Sequence, residues 1–266
     1  MLIDPQQTLL NQIRHGSLTE AQRSGRTDDI FRYVLANSES ITRPNFTTVS
    51  DADLGLLFQI TDELFFGGSV GQLCEQKADA PLVFRLSTRM TNSGGTTTMH
   101  RSGSRRSPKL EFEIAIATTP LFATFPSQRS DHPAALSDVG GVPCRNRLEA
   151  LQRIMEHEMV HLIEMLLWDD SNCSGKPFKS IVYRFFGHTA SNHRLLTPAD
   201  VARRQWGIQP GDRVSFDFQG RSLRGWVNRI TKRASVLVAD PSGVLHSDGR
   251  VYKTFYVPLH RLKKAA

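Results

Sequence analysis

The stretch NRLEALQRIMEHEMVHLIEMLLW, residues 146–168, decides the fold of this chain. Asn146 can accept a hydrogen bond from a free amide of the first turn, and Glu149 can reach back to it, as in a capping box. Apolar residues recur from Leu148 to Trp168 at helical spacing and cover most of the helix surface. The stretch therefore predicts a long helix that is buried inside a domain.

Polar side chains interrupt this apolar helix at HEMVH, residues 157–161. Because residues one turn apart share a helix face, His157 and His161 can bind one metal ion at about 2.0–2.1 Å. Glu158 lies about 100° further round the helix, where its carboxylate can reach a water molecule on the ion rather than the ion itself. A shared ion also removes the cost of burying unpaired polar groups. The pattern predicts a hydrolytic zinc site with Glu158 as the general base.

Several residues downstream of the helix can supply a third zinc ligand. We expect Cys173, because it lies in the loop that reverses the chain after the helix and a thiolate binds zinc at about 2.3 Å. A lone cysteine is, however, more often a small buried apolar residue. His188, His193 or a carboxylate therefore remain alternatives. Tyr183 or His188 could also stabilise an oxyanion, although a tyrosine on an apolar helix is more often part of the core.

The segment before this helix predicts a further helix and a small sheet. A helix follows the polar residues 50–51 and stops at Gly67, and apolar alternation predicts strands at residues 82–90 and 110–117. Gly94-Gly95 predicts a turn, and residues 96–99 are prone to β-structure. Because residues 110–117 precede the metal-binding helix and are flanked by loops, we expect this strand to be the edge that holds an extended peptide substrate.

The order of these elements resembles the SprT-like (Spartan-related) family of zinc metalloproteases. The resemblance covers residues 51–188 and includes LFFGG at residues 64–68, FEIAI at 112–116, HEMVH at 157–161 and the following GKPF. It implies an α+β, zincin-like domain whose active-site helix packs on a small antiparallel sheet. It also implies a protein substrate that is crosslinked to DNA or associated with nucleic acid. Other zinc peptidases share HExxH, so only the whole order of elements indicates this family.

This chain departs from the family at the third zinc ligand. The family supplies that ligand from a His-Gly-x-x-Phe sequence, whereas residues 174–178 read SGKPF. Ser174 stands at the histidine position, and Cys173 immediately precedes it. The family's C-terminal zinc ribbon is also replaced, by a basic segment.

That basic segment carries the positive charge of the chain. Residues 201–266 contain thirteen Lys and Arg against four Asp, a net charge of +9, and subtracting this from the total of +7 leaves −2 for residues 1–200. Short alternating runs after Pro210 predict five strands in a small SH3-like barrel. We therefore expect a polar N-terminal lead-in at residues 1–45, the zincin-like domain at 46–200 and the basic barrel at 205–266.

Concentrated positive charge favours a nucleic-acid partner, although a merely solubilising surface has the same composition. Aromatic residues interleave with the basic ones, and we expect Trp226 and Tyr252 to be exposed for base stacking while most of the others form the core. The basic side chains expected to contact nucleic acid are Arg224, Arg229, Lys232 and Arg233.

The composition also bears on cellular setting. No run of 18 apolar residues predicts a membrane span, and the first 27 residues lack the apolar centre of a secretory signal. Three cysteines are too few for a disulfide framework, so we expect a reducing cytoplasmic location, with association with the nucleoid left open.

Two other functions fit the same residues. The chain could be a nucleic-acid-binding or regulatory protein with a closed, structural zinc site and no hydrolysis, although such a site has no need of Glu158. It could also be a deformylase-like hydrolase of another carbonyl. In that class the cysteine ligand lies upstream of the helix, where Cys144 is the nearby candidate.

Overall fold

The structure, a computed structural model, describes residues 4–104, 107–125, 137–231 and 233–265. Lys232, which the sequence predicts to contact nucleic acid, lies outside these residues. The chain is of the α+β class, as predicted. It divides into two compact units, Met1–Leu195 and Leu196–Ala266. Of the described helices, none is both long and apolar enough to cross a bilayer.

The first unit contains seven described helices and five described strands. The helices are α1 (Pro5–His15), α2 (Glu20–Asn37), α3 (Asp51–Phe66), α4 (Ser69–Lys77), α5 (Thr118–Thr124), α6 (Arg147–Trp168) and α7 (Lys176–Phe186). The strands are β1 (Val83–Ser87), β2 (Gly95–Ser104), β3 (Ser107–Ala117), β4 (Asp138–Val139) and β5 (Val142–Pro143).

Helix α6 is the centre of the first unit, as its apolar surface predicts. Its first turn is capped by Asn146, whose Oδ1 accepts a hydrogen bond from the amide of Glu149 at 2.9 Å. It ends at Asp169, which adopts a left-handed conformation with φ of 60°. Helices α3 and α7 and strand β2 pack around it, so its apolar residues are buried on several sides. This burial fixes the helix that carries the HExxH sequence.

The prediction of a loosely held lead-in at residues 1–45 is wrong, because α1 and α2 are part of the core. Leu9, Ile30 and Val34 are fully buried in the same cluster as the apolar residues of α6. Arg184 of α7 further donates a hydrogen bond to the carbonyl of Ile13 at 2.6 Å. Both helices bury only a narrow apolar stripe. Their composition is therefore polar overall and does not indicate helices of the core.

The sheet of the first unit has the order β1–β3–β2. Strand β1 is parallel to β3 and β2 is antiparallel to it, so the sheet is mixed and not antiparallel as predicted. Residues 110–117 lie in the central strand, and the prediction that they form the substrate-binding edge is therefore wrong. The small residues Ala115 and Ala117 are as fully buried as Ile114, which is typical of a strand covered on both faces.

The second unit consists of one helix and an antiparallel sheet. Its elements are α8 (Pro198–Trp206), β6 (Arg213–Phe218), β7 (Arg221–Ile230), β8 (Ala234–Leu245), β9 (Val251–Val257), a 3-10 turn (Leu259–Arg261) and β10 (Lys263–Lys264). The unit includes α8, and so begins before the predicted residue 205, because Ala202 is buried with Val214 and Val236. The strand order is β10–β6–β7–β8–β9. No pairing between the described strands closes this sheet, whereas the sequence predicts a barrel.

The packing of α1 predicts the effect of a cavity there. Leu9→Ala should lower the free energy of unfolding of the first unit by about 2–5 kcal/mol, because it removes a fully buried side chain. Urea unfolding followed by the helical circular dichroism signal measures this, since seven of the described helices belong to that unit. The exposed Gln7→Ala in the same helix is the control, and equal effects of the two substitutions would contradict an integral α1.

Candidate metal centre

Two histidines and one cysteine form a cluster of metal-binding side chains on α6 and the loop after it. The Nε2 atoms of His157 and His161 lie 3.2 Å apart. Within the described residues, one donor atom from each of His157, His161 and Cys173 lies within 4.8 Å of the other two. A nitrogen–nitrogen–sulfur donor set of this kind suits zinc. The structure thus brings together the three residues expected to be ligands.

A chain of hydrogen bonds fixes the orientation of the His161 ring. The Oγ of Ser171 lies 2.6 Å from Nδ1 of His161 and itself donates to the carboxylate of Glu164 at 2.6 Å. Because the hydroxyl proton points to Glu164, Ser171 accepts from Nδ1–H of His161, and the lone pair of that ring is on Nε2. Partners of this kind fix the tautomer and orientation of metal-binding histidines.

Burial keeps both imidazoles neutral, which metal binding requires. It lowers the pKa of His157 to about 2, with nearby histidines adding to the effect, and the pKa of His161 to about 4. Phe178 of the GKPF sequence is fully buried, and its ring centroid lies 4.8 Å from that of His157 and 4.5 Å from that of His161. The side chains present therefore fit a zinc ion.

Glu158, the residue after His157, is buried, with 2% of its surface exposed. Burial raises the pKa of its carboxyl group to about 8, and the hydrogen bond from Thr97 acts in the opposite direction. The Oγ1 of Thr97 lies 2.9 Å from Oε2 and 2.9 Å from the main-chain oxygen of Glu158. A divalent cation next to this carboxyl group would favour its charged form.

Gly94 and Gly95, at the start of β2, allow the strand to approach α6 closely. A Cβ atom on Gly95 would lie 2.8 Å from Oε1 of Glu158, and one on Gly94 would lie 2.4 Å from Nδ1 of His193. Neither Gly94 nor Gly95 has a positive φ. Their role is therefore to leave room for the site, beyond the chain reversal that the sequence predicts.

The other two histidines proposed as ligands have different surroundings. Nε2 of His188 lies 2.9 Å from Oε2 of Glu156, which also pairs with Arg153 at 2.9 Å, so His188 belongs to a buried ionic network. His193 lies beside the cluster, with its ring centroid 4.6 Å from that of His157. Its Nδ1 accepts a hydrogen bond from the amide of Gly94 at 3.1 Å. The sequence gives no sign of this contact, because 99 residues separate its partners.

Two further residues considered in the sequence lie in settings that do not suit the roles considered. Tyr183 is 56% exposed and lines a surface cavity together with Lys179 and His188. Cys144 is buried, and its burial raises the pKa of its thiol to about 12. A thiolate is strongly disfavoured there, which argues against an upstream cysteine ligand of the deformylase kind.

In the second unit, three of the basic residues predicted to contact nucleic acid are exposed: Arg224, Arg229 and Arg233. Arg224 and Trp226 share one face of β7, and a bulge after Val227 brings Arg229 to the same face, because its partner Ser235 lies two residues from the partner of Trp226. The expectation that Tyr252 is exposed is wrong: it is 5% exposed, and its hydroxyl donates to Asp248 at 2.8 Å.

No protein-family model, curated protein or solved structure matches this chain. The function is therefore inferred from the geometry of the site itself.

The cluster predicts which substitutions change zinc binding. Cys173→Ala should abolish stoichiometric zinc binding, because two imidazoles alone hold zinc weakly. Ser171→Ala should weaken affinity by about 10–100-fold, because it removes the acceptor that orients His161. Metal analysis of the purified protein, with chelator competition, measures both. His188→Gln is the control and should retain zinc; full zinc content in Cys173→Ala would show that another residue is the third ligand.

Proposed function

We propose that this chain is a zinc-dependent endopeptidase with His157, His161 and Cys173 as zinc ligands and Glu158 as the general base. The observation that carries the proposal is the set of three convergent metal donors, one of which, His157, directly precedes the buried Glu158. A zinc ion held by those donors would polarise the substrate carbonyl and lower the pKa of a bound water to about 7.

Glu158 moves the proton in this reaction. Its carboxylate accepts a proton from the attacking water as the oxygen bonds to the peptide carbon, and it returns that proton to the amine when the carbon–nitrogen bond breaks. Thr97 holds the carboxylate in position through the hydrogen bond to Oε2. Gly95 packs closely against the same carboxylate, because any side chain at this position would collide with Oε1.

A purely structural zinc site is the less favoured alternative. Three protein donors leave a fourth tetrahedral position for water or substrate, whereas structural sites are closed by four. A buried carboxylate that does not ligate the ion has no part in a structural site, and its burial is costly. Glu158 therefore favours hydrolysis over a binding function without chemistry.

The edge of the sheet supports a peptide as the substrate. Among the described strands, β2 pairs only with β3. The carbonyl of Gly94 accepts from the amide of Ala117 at 2.8 Å, so the next peptide groups alternate and those of Gly95, Thr97 and Met99 point away from β3. An extended peptide can pair with these groups. It would then run alongside Gly95 and Thr97, which pack against Glu158.

The order of helices and strands around α6 supports a zincin-like domain of the SprT-like kind, and the antiparallel sheet of the second unit supports an SH3-like module. We propose both as the finer description of the fold. The cysteine ligand distinguishes this chain from the family's His-Gly-x-x-Phe pattern.

The second unit supports nucleic acid as a further partner, and hence a protein substrate bound or crosslinked to it. Arg224, Arg229 and Trp226 share one face of the sheet, and the guanidinium of Arg213 lies 5.5 Å from the Trp226 ring centroid. Exposed arginines and an aromatic ring suit contacts with phosphates and bases.

The Glu158→Gln substitution tests the peptidase. The variant should keep its zinc and its fold, because the amide has the same shape and can still accept from Thr97. Cleavage of fluorescein-labelled casein should fall by about 10²–10⁴-fold, because the amide cannot accept the proton. The exposed Glu75→Gln is the matched control. Undiminished cleavage by Glu158→Gln, or no cleavage by the zinc-loaded wild type, would end the proposal.

Fluorescence anisotropy tests the nucleic-acid partner with a short labelled single strand and its duplex. The double substitution Arg224→Gln/Arg229→Gln should weaken binding. It should also lower the slope of log affinity against log salt by about 0.9 for each duplex phosphate that the two arginines neutralise in the wild type. Arg203→Gln, on α8, is the control, since Arg203 lies 3.7 Å from Asp200. Absence of binding at low salt would exclude this partner.

A further inference from the structure

The main chain around His193 is fixed by hydrogen bonds to the β4–β5 hairpin. His193 forms an isolated antiparallel β-bridge with Val139. On one side of it, the carbonyl of Asn192 accepts from the amide of Gly140 at 2.9 Å; on the other, the amide of Arg194 donates to the carbonyl of Asp138 at 2.8 Å. This arrangement sets the ring against His157 and Gly94.

The contact with Gly94 decides which nitrogen of His193 carries the proton. A backbone amide can only donate, so Nδ1 of His193, which lies 3.1 Å from the nitrogen of Gly94, must offer its lone pair. A ring whose Nδ1 accepts a hydrogen bond is not the doubly protonated cation, so the imidazole of His193 is neutral. A neutral imidazole has one N–H, and in His193 that group is Nε2–H.

The Nε2–H group of His193 lacks an acceptor. Nε2 is buried and has no hydrogen-bond partner among the described residues. Leaving a buried donor without an acceptor is costly, so this group calls for an acceptor that the described residues do not supply. An acceptor that arrives with a ligand would satisfy it.

We propose, on the basis of the peptidase function above, that His193 donates a hydrogen bond from Nε2 to the carbonyl oxygen of the scissile peptide. As the water oxygen bonds to the carbonyl carbon, the π-electron pair moves onto the carbonyl oxygen, and the hydrogen bond from His193 to that oxygen strengthens. When the carbon–nitrogen bond breaks, the pair returns to re-form the carbonyl. Glu158 carries the proton from water to the leaving amine, and His193 keeps its own proton throughout.

The same tautomer excludes His193 as a zinc ligand. A neutral imidazole that accepts at Nδ1 has its proton on Nε2, so neither nitrogen offers a lone pair to an ion. By distance alone, the cluster of metal-binding side chains among the described residues likewise contains Cys173 and not His193. A preorganised hydrogen-bond donor such as Nε2–H contributes to catalysis because it is in place before negative charge develops on the carbonyl oxygen.

Nitrogen NMR of the zinc-loaded full chain tests the tautomer without any activity measurement. Long-range proton–nitrogen spectra at neutral pH should show His193 protonated at Nε2 and free at Nδ1. Protonation at Nδ1, or a shift of Nε2 typical of metal coordination, would overturn the proposal whether or not the protein cleaves casein.

The His193→Ala substitution tests the role. It should retain zinc and KM for casein and lower kcat by about 10²–10³-fold, as loss of one oxyanion donor does. His193→Gln, whose amide can donate, should recover part of this loss. A phosphinic peptide with the sequence of a mapped casein cleavage site mimics the tetrahedral intermediate. It should bind His193→Ala more weakly than the wild type, by the same factor as the loss in kcat/KM.

Controls separate this proposal from the peptidase itself. The exposed His15→Ala should leave all values unchanged. Full activity of His193→Ala alongside an inactive Glu158→Gln would reject the His193 donor and keep the peptidase. Loss of zinc in His193→Ala would make it a ligand and reject the donor role. If the zinc-loaded wild type cleaves nothing, the peptidase proposal fails, and the donor role of His193 fails with it whichever tautomer the ring adopts.

Discussion

The close approach of β2 to α6 is the constraint on which the site depends. Gly94 and Gly95 bring the strand so near the helix that a methyl group on either would collide with His193 or Glu158. This proximity lets Thr97 hold the carboxylate of Glu158 and lets the amide of Gly94 fix the ring of His193. One short segment thus positions two side chains that belong to different elements.

The electrostatics of the site follow from its burial. Desolvation lowers the pKa of His157 and His161 and raises the pKa of Glu158, so the protein alone favours neutral forms of all three groups. Neutral imidazoles are ready to bind a cation, and a cation restores the charge of the carboxylate. The proposed ion is therefore coupled to the state of the base, and metal-free protein is expected to be a poor proton acceptor.

The sequence predicts well what is decided locally. Helices α3 and α6 follow from caps and apolar periodicity, and the spacing of His157 and His161 on one helix face follows from helix geometry alone. Sheet order depends on contacts between distant segments, so β3 was wrongly predicted to be the edge. The contact between Gly94 and His193 is equally distant in sequence. The polar composition of α1 and α2 does not indicate core helices, because each helix buries only a few residues.

In the proposed site, a thiolate ligand makes the hydrogen bond from Nε2–H of His193 more important for stabilising the oxyanion. Cys173 would bring a full negative charge to the ion, where a third imidazole would bring none, and the ion would then withdraw less electron density from a carbonyl. Part of the stabilisation of the developing oxyanion must come from elsewhere, and a fixed N–H group in a buried site supplies it without reorganisation. A thiolate ligand at Cys173 and a hydrogen-bond donor at His193 would thus be physically linked: the more anionic the ligand set, the more the proposed reaction would depend on that hydrogen bond.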